Sequence, residues 1–522
     1  MIKRLNIGLI NPKFEPSYWG FDYALPLYPG NKKCTMVTGA LPHLAGLVPD
    51  HDVVLLDENV EDIDFASLKR FDIVGVTGMI VQKARMRQIL GYLRELKIFT
   101  VVGGAYASVD EPFFDGLCDV LFTGEADETW PAFVNAFASG KNYENIYKQA
   151  NPTDMTKLPK PRYDLLKVDR YASGALQFSR GCPFRCEFCD IIVTFGRRPR
   201  MKRPEQVLDE LEKMREAGFF SCFIVDDNFI GNKKAAKELL RMIVAWQKRH
   251  SFPLRLTTEA SINLADDPEL LELLYQANFR SVFIGIETPR LESLKETKKF
   301  QNTSGDSLEA KLMRIRNAGL EVSAGFIVGF DNDDKQIFED QFRFIQENGI
   351  LLAMVGMLVA VPKTPLYERL EKEGRLRLDD ANCNIVPAQM SPAELRTGYW
   401  NLLKRLYTPA NFLERYFHQF RQPEFNVRRS RIAANTAGGH NPLKTLLYGF
   451  VLTWNLFQTL RCDGSLISVG GAYLRFFFND GRRYLRGIGG FAQFVNRCAV
   501  HWHFYKFTRE MSAGRLRLYN SG

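Results

Sequence analysis

The chain has 522 residues, 46% of them hydrophobic and 25% charged, a balance that excludes extensive disorder in a length too great for one ordinary core. Its net charge of +9 is lopsided, because residues 401–522 hold 18 Lys/Arg against 5 Asp/Glu; the excess suits an anionic surface or ligand met by that segment and not nucleic acid wrapped around the whole molecule. Nine cysteines in so long a chain exclude a dense disulfide framework and point to a reducing, cytoplasmic compartment.

The opening apolar stretch is interrupted by Asn6 and Gly8 and stops at Asn11 and Pro12, so it reads as a strand and not as a signal peptide. Short β-branched runs at 5–11, 52–57, 72–77, 99–103 and 119–123 alternate with amphipathic stretches such as 79–96. Repeated β-then-α order predicts a doubly wound, Rossmann-like parallel sheet over residues 1–145, with ligands outside the carboxyl ends of its strands. Thr77-Gly78, Gly103-Gly104-Ala105 and Gly124-Glu125 stand at those ends, where small residues admit a bulky ligand, although any doubly wound fold also needs tight turns there. His43 falls in a helical pattern and reads as an ordinary helix residue.

Pro152, Pro159 and Pro161 mark a linker at 146–172. Six more strands, at 175–179, 221–226, 254–259, 281–287, 321–330 and 353–361, alternate with helical stretches and predict an open, partial (β/α)6 barrel over 173–376. Residues 377–522 read as a mainly helical, basic, aromatic-rich domain opened by the capping box of Ser391 and Glu394. Its stretch 445–460 carries no charge, yet those 16 residues fall short of the roughly 20 that span a bilayer. A buried helix is favoured there over an interfacial one.

The sharpest signal is Ser179-Arg180-Gly181-Cys182-Pro183-Phe184-Arg185-Cys186-Glu187-Phe188-Cys189, just after the first barrel strand. Three thiolates on one loop fall one short of a structural zinc site and match an iron–sulfur cubane whose fourth iron takes an external ligand; a zinc or redox knuckle is the alternative. Asp226 and Asp227 end the second barrel strand and Glu287 the fourth. The aspartate pair reads equally as ligand contacts, helix caps or solvated groups. The basic run Arg197, Arg198, Arg200, Lys202 and Arg203 reads as a charged loop beside an anionic centre, since no nucleic-acid module accompanies it.

The C-x3-C-x2-C loop in this context resembles the radical S-adenosylmethionine (SAM) superfamily, and residues 1–376 resemble its subgroup with an N-terminal cobalamin-binding domain. The resemblance implies a 4Fe-4S cluster on Cys182, Cys186 and Cys189, with SAM chelated at the free iron, Phe188 near its adenine, and Asp226, Asp227 and Glu287 as its further contacts. It implies cobalamin against Thr77, Gly103, Gly104, Ser108, Gly124 and Glu125. The Asp-x-His-x-x-Gly loop of methionine-synthase-like domains is absent, Leu41 standing where its aspartate would, which implies no histidine on the lower face of the cobalt.

The implied chemistry is reductive cleavage of SAM to a 5′-deoxyadenosyl radical, hydrogen abstraction from an unactivated carbon of a small-molecule or lipid substrate, and methyl transfer from cobalamin, with a donor such as flavodoxin or ferredoxin. Rearrangement or cyclisation without methylation uses the same residues, and a non-catalytic iron–sulfur or cobalamin sensor is a reading of another class. The segment His501-Trp502-His503-Phe504-Tyr505-Lys506-Phe507 is similar to the extension of hopanoid C-methylases. That likeness implies a polycyclic lipid substrate, with residues 401–522 resting on the inner face of the membrane and aromatic side chains at the acyl boundary; a helical lid on the barrel is the alternative. His501 and His503 do not share a helix face and suggest no metal site.

Overall fold

The computed structural model describes residues 3–377, 383–436, 442–485 and 487–516. The first part of the chain supplies β1 (Asn6–Asn11), β2 (Cys34–Met36), β3 (Asp52–Asp57), β4 (Ile73–Thr77), β5 (Thr100–Gly103), β6 (Val120–Thr123) and β7 (Ile146–Lys148). All but β2 join one parallel sheet, in the order β3-β1-β4-β5-β6-β7. A parallel sheet covered on both faces needs apolar side chains in both directions, and the continuous apolar runs supply them. Helix Lys83–Glu95 covers one face through Met86, Ile89 and Leu90, and helix Thr129–Ala138 covers the other through Trp130, Phe133 and Val134. Because β1 has β3 on one side and β4 on the other, the strand order reverses there, and the carboxyl ends beside it form the crevice of the sheet.

The second sheet follows with β8 (Tyr171–Leu176), the short β9 (Ser179–Arg180) and β10 (Arg200–Met201), then β11 (Ser221–Ile224), β12 (Arg255–Ala260), β13 (Phe279–Glu287), β14 (Glu321–Val328) and β15 (Leu352–Met357). Strands β8 and β11 to β15 form the expected six-stranded parallel half-barrel, in sequential order. A seventh strand was not legible in the sequence: β2 leaves the N-terminal domain and pairs with β8, Cys34 opposite Tyr171 and Met36 opposite Ser173. Three half-buried residues carry no period to read, so only the pairing partner defines them as a strand. Likewise β7, inside the stretch read as a linker, is a three-residue edge strand on β6.

Along the barrel strands, residues alternate between the helical jacket and the lumen. Cys222, Ile224, Leu256, Thr258, Val282 and Ile284 are buried outward, whereas Phe223, Thr257, Glu259, Phe283, Ser323 and Gly325 are half-buried inward. The excursion between β1 and β2 sends Trp19 to the lumen aromatics, with ring centroids 5.3 Å from Phe283 and 6.2 Å from Phe223.

The C-terminal helices Pro392–Leu406, Pro409–Phe420, Pro423–Thr436 and Pro442–Cys462 each begin with proline, which suits a first turn that needs no amide donor. Ser391 and Glu394 form the predicted capping box. The edge strand β15 is covered from this domain: Tyr399 donates to the Val355 carbonyl at 3.1 Å and Tyr407 to the Ala353 carbonyl at 2.7 Å.

The 501–507 segment is the buried middle of helix Gly487–Ser512, where Phe504 stacks on Tyr407 at 4.6 Å and packs against Tyr18 and Phe21. His503 accepts from the Tyr23 amide at 3.3 Å and donates to the Ser17 carbonyl at 3.0 Å; burial pushes both His501 and His503 down to about 3, so they are neutral core groups. The uncharged 445–460 stretch is buried on one face only. Leu452, Leu456 and Leu460 are buried within the core shared with the last helix, while Leu446, Leu447, Phe450, Trp454 and Phe457 are exposed on the other face. The packing partner supplies one apolar wall and not two. No described helix is long and apolar enough to cross a membrane.

Phe504→Ala removes a ring from the place where the N-terminal excursion, the barrel cover and the last helix meet. We expect a loss of about 3–5 kcal/mol, read as a lowered denaturant midpoint for the whole chain.

Candidate functional site

The cysteine loop leaves β9 at Gly181, whose φ is +93° and whose added Cβ would stand 2.9 Å from the Gly196 carbonyl oxygen, so glycine is required. Cys182 and Cys189 are half-buried, Cys186 is buried, and all three are free thiols. Side-chain amides point at two of them: Asn228 Nδ2 lies 3.8 Å from Cys182 Sγ and Gln301 Nε2 3.5 Å from Cys186 Sγ. Glu187, between the last two cysteines, takes a hydrogen bond from Arg369 at 2.8 Å, and its amide donates to the Thr297 carbonyl at 2.9 Å, which anchors the loop to the barrel.

The strand-end carboxylates divide by role. Asp226 is spent on the fold, one oxygen accepting from the Phe178 amide at 2.7 Å and the other from Ser179 Oγ at 2.6 Å, so it fastens the β8–β9 turn. Asp227 is half-buried and accepts from the Gly181 amide at 3.0 Å. Beside them stands Glu259 of β12, which sequence reasoning passed over; its carboxyl has no hydrogen-bond partner among the described residues. Burial pushes Asp226 and Glu259 up to about 7 and Asp227 up to about 6, and for Asp226 and Glu259 the neighbouring carboxylates add to the effect. Among the described residues Asp227 and Glu259 have no ion pair at the top of the barrel, with Arg180 acting on Asp227 from a distance.

Glu287 has φ +66° at a register shift between β13 and β14, and its carboxylate meets Lys299 Nζ at 2.6 Å. Burial opposes charge on Lys299, yet Glu287 and the cysteines hold its pKa above the ordinary value. Lys299 Nζ also lies 5.8 Å from the centre of the Phe188 ring, so Phe188 and Glu287 are brought together by a lysine the sequence did not single out.

In the N-terminal sheet, Thr77, Gly103 and Gly104 border a crevice at the carboxyl ends of β4 and β5, with Leu44, Ala126 and Trp130 as its apolar walls. Gly104 has φ +103°, and an added Cβ would reach within 2.5 Å of Thr77 Oγ1. Ser108 staples the strand ends, donating to the Gly104 carbonyl and accepting from the Gly124 amide, each at 2.8 Å. Glu125 is turned away into a buried ion network. It accepts from Arg180 at 2.7 Å and Arg200 at 3.0 Å, while Asp127 takes Arg180 at 2.6 Å and His43 at 2.6 Å. His43 is thus a helix residue with a task, and burial keeps its ring neutral. Of the basic run, Arg200 joins this network and Lys202 is buried against Glu210.

The chain matches the radical SAM superfamily over residues 176–345 and a domain of unknown function (DUF4070) over 364–516. It is 41% identical over 424 residues to an uncharacterized methyltransferase, sll1242, of Synechocystis sp., covering 79% of this chain and 78% of the relative. It is 35% identical over 412 residues to the hopanoid C-2 methylase of Rhodopseudomonas palustris, covering 78% of each. The chain belongs to the radical SAM superfamily. Its fold is shared with the cobalamin-dependent SAM radical enzyme OxsB, with a TM-score of 0.61 at 15% identity over 99% of this chain and 82% of that one.

The residues present fit the cofactors of this radical SAM enzyme. Among the described residues, no three His, Cys, Asp or Glu side chains stand close enough to share one metal ion, and a four-iron cubane asks instead for three thiolates at three separate irons. Burial pushes the Cys189 thiol up to about 12 and also raises Cys182, a cost that bound iron cations reverse. Asp227 and Glu259 suit the ammonium of SAM. The apolar crevice with its exposed glycine backbone suits a flat, bulky ligand such as cobalamin.

Glu259 carries a pH signature. Its pKa in the folded chain, about 7, lies above the ordinary 4.5, so its contribution to stability is present below 4.5 and lost as pH rises through 7. In the cofactor-free chain Glu259→Gln should raise the thermal midpoint relative to wild type at pH 8 and leave it unchanged at pH 4.5, as scanning calorimetry at the two pH values would reveal.

Proposed function

We propose that this radical SAM enzyme transfers a methyl group to an unactivated carbon of a polycyclic lipid. The observation that carries the reading is the buried Arg180 bridge. Arg180 stands two residues before Cys182 and is clamped by Glu125 and Asp127 at the strand ends of the N-terminal domain, which ties the cysteine loop to the domain that carries the crevice. When bound, the cluster with SAM supplies a carbon radical and cobalamin a methyl carrier. The chain's own residues do the rest: Asp227 and Glu259 hold a cation at the top of the barrel, and Trp19, Phe223 and Phe283 give the lumen an apolar wall that excludes water from the reacting carbon. Relatedness to the hopanoid C-2 methylase supports a polycyclic lipid as the substrate class. The electron comes from an external low-potential donor of the flavodoxin or ferredoxin kind.

A lipid substrate asks for access to a membrane, and the C-terminal domain supports a peripheral contact. The exposed apolar face of helix Pro442–Cys462 shares its domain with exposed Arg461, Arg475, Arg482 and Arg483, a pairing that suits an interfacial position on anionic lipid.

Anaerobic protein reconstituted with iron, sulfide and cobalamin, then given SAM, a reductant and candidate hopanoids, should release 5′-deoxyadenosine together with a product heavier by one methyl group. SAM cleavage without methylated product across the lipid panel would overturn the reading. Cys182→Ala should abolish both products and the iron–sulfur absorbance. In liposome flotation, wild-type protein should rise with anionic vesicles, and Phe450→Asp with Trp454→Asp should stay at the bottom; equal flotation of the two proteins would reduce the helix to a lid.

A further inference from the structure

The amino-terminal mouth of the barrel is built from a different chemistry than its top. Arg255 opens β12 on the same face as Thr257 and Glu259, the lumen face, while Leu256 and Thr258 point into the jacket. Arg280 is the extra residue of β13 at the register shift against β12, where Phe279 faces Leu256 and Ser281 faces Thr257. Such a bulge re-aims a side chain, and Arg280 is accordingly half-buried on a strand whose neighbour Phe279 is 1% exposed. Arg429 reaches the same place from helix Pro423–Thr436 and is half-buried. A fourth arginine, Arg497, is fully engaged by both oxygens of Glu321 at 2.7 and 2.6 Å.

Glu321 is thereby committed to Arg497 and also faces Arg429, and among the described residues the side chains of Arg255, Arg280 and Arg429 have no ion pair or hydrogen bond, although Arg429 lies 5.5 Å over the Phe425 ring. Burial pushes Arg280 down to about 9, with Arg429 and Arg255 adding like-charge repulsion; burial lowers the other two as well. Arg255 is exposed at the mouth while Arg280 and Arg429 are half-buried, and guanidinium groups that repel one another in such surroundings cost stability unless an anion compensates. Their forked donors match the planar or tetrahedral oxygens of carboxylate and phosphate. The hydroxyl-bearing ring of Tyr448 lies beside Arg255 and adds no negative charge, since burial holds it up at about 12.

We propose that Arg255, Arg280 and Arg429 form an oxyanion site at the amino-terminal mouth of the barrel, and that the molecule methylated in the lumen carries a phosphate or carboxylate at the end remote from the reacting carbon. This rests on the methyl-transfer reading and narrows its substrate class to an anionic amphiphile. Arg255 and Glu259 are four residues apart on one strand, which separates the two ends of the lumen by roughly 13 Å. Between them the wall is Phe223, Phe283 and Trp19, apolar as the body of such a molecule requires.

The test is calorimetric titration of the anaerobically reconstituted holoenzyme with decyl phosphate, decanoate and decanol, with inorganic phosphate as competitor. We expect at least one of the two anions to bind roughly tenfold or more tightly than the alcohol, and Arg280→Gln or Arg255→Gln to remove about that factor for the anion alone, with Arg280→Lys restoring part of it. Iron content and melting temperature of each variant report whether it has folded. Equal affinity for anion and alcohol in the wild type, or equal weakening of both in the variants, would overturn the site. Arginine-dependent anion binding in an enzyme that methylates nothing would keep the site and discard methyl transfer. Methylation of an uncharged lipid with a KM unmoved by Arg280→Gln would do the reverse.

Discussion

The rest of this structure depends on one buried arginine. Arg180 leaves the end of β9 and passes into the N-terminal domain, where Glu125 and Asp127 hold it away from water, with a second cation, Arg200, on Glu125 and the neutral ring of His43 on Asp127. Removing one partner from such a network strands the others without solvent, at a cost of about 3–5 kcal/mol. The pair therefore acts as a register between two parallel sheets. It fixes the carboxyl ends of one against the cysteine loop of the other, and neither sheet alone contains the whole arrangement.

That register leaves a lumen with opposite characters at its two ends. At the top, Asp227 and Glu259 lie close together with no cation between them, which suits a positively charged ligand. At the bottom, Arg255, Arg280 and Arg429 outnumber the acid Glu321, which Arg497 already holds, in keeping with the oxyanion site proposed above. The apolar wall between them is completed by Trp19, supplied by the N-terminal excursion that also adds β2 to the barrel sheet. The C-terminal helices close the same end and cover the edge of β15 with tyrosine hydroxyls.

The cysteine spacing was legible because the three thiols lie on one short loop, where sequence distance and spatial distance agree. Gly104 was read as a point of close approach, and its positive φ and nearness to Thr77 require glycine there, whereas the same requirement at Gly181 appears only in the structure. Asp226 was read as a ligand contact because its position at a strand end says nothing of the Phe178 amide and Ser179 hydroxyl that occupy both its oxygens. Glu125, among the expected cofactor contacts, also pairs with Arg180 and Arg200 from beyond its own domain, which its position at a strand end does not announce. Glu259 and Lys299 carried no motif, and only their neighbours mark them.

By itself, then, the sequence determined the alternation of strand and helix, the two parallel sheets, the thiolate loop and the basic, helical C-terminal domain, because each is written in local period, spacing or composition. Tertiary structure decided which carboxylates stay unpaired, where β2 pairs, that the 501–507 aromatics are core and that one face of helix Pro442–Cys462 is bare. Those outcomes turn on which side chains meet across hundreds of residues, and electrostatic compensation and burial are properties of such meetings and not of any single stretch of chain.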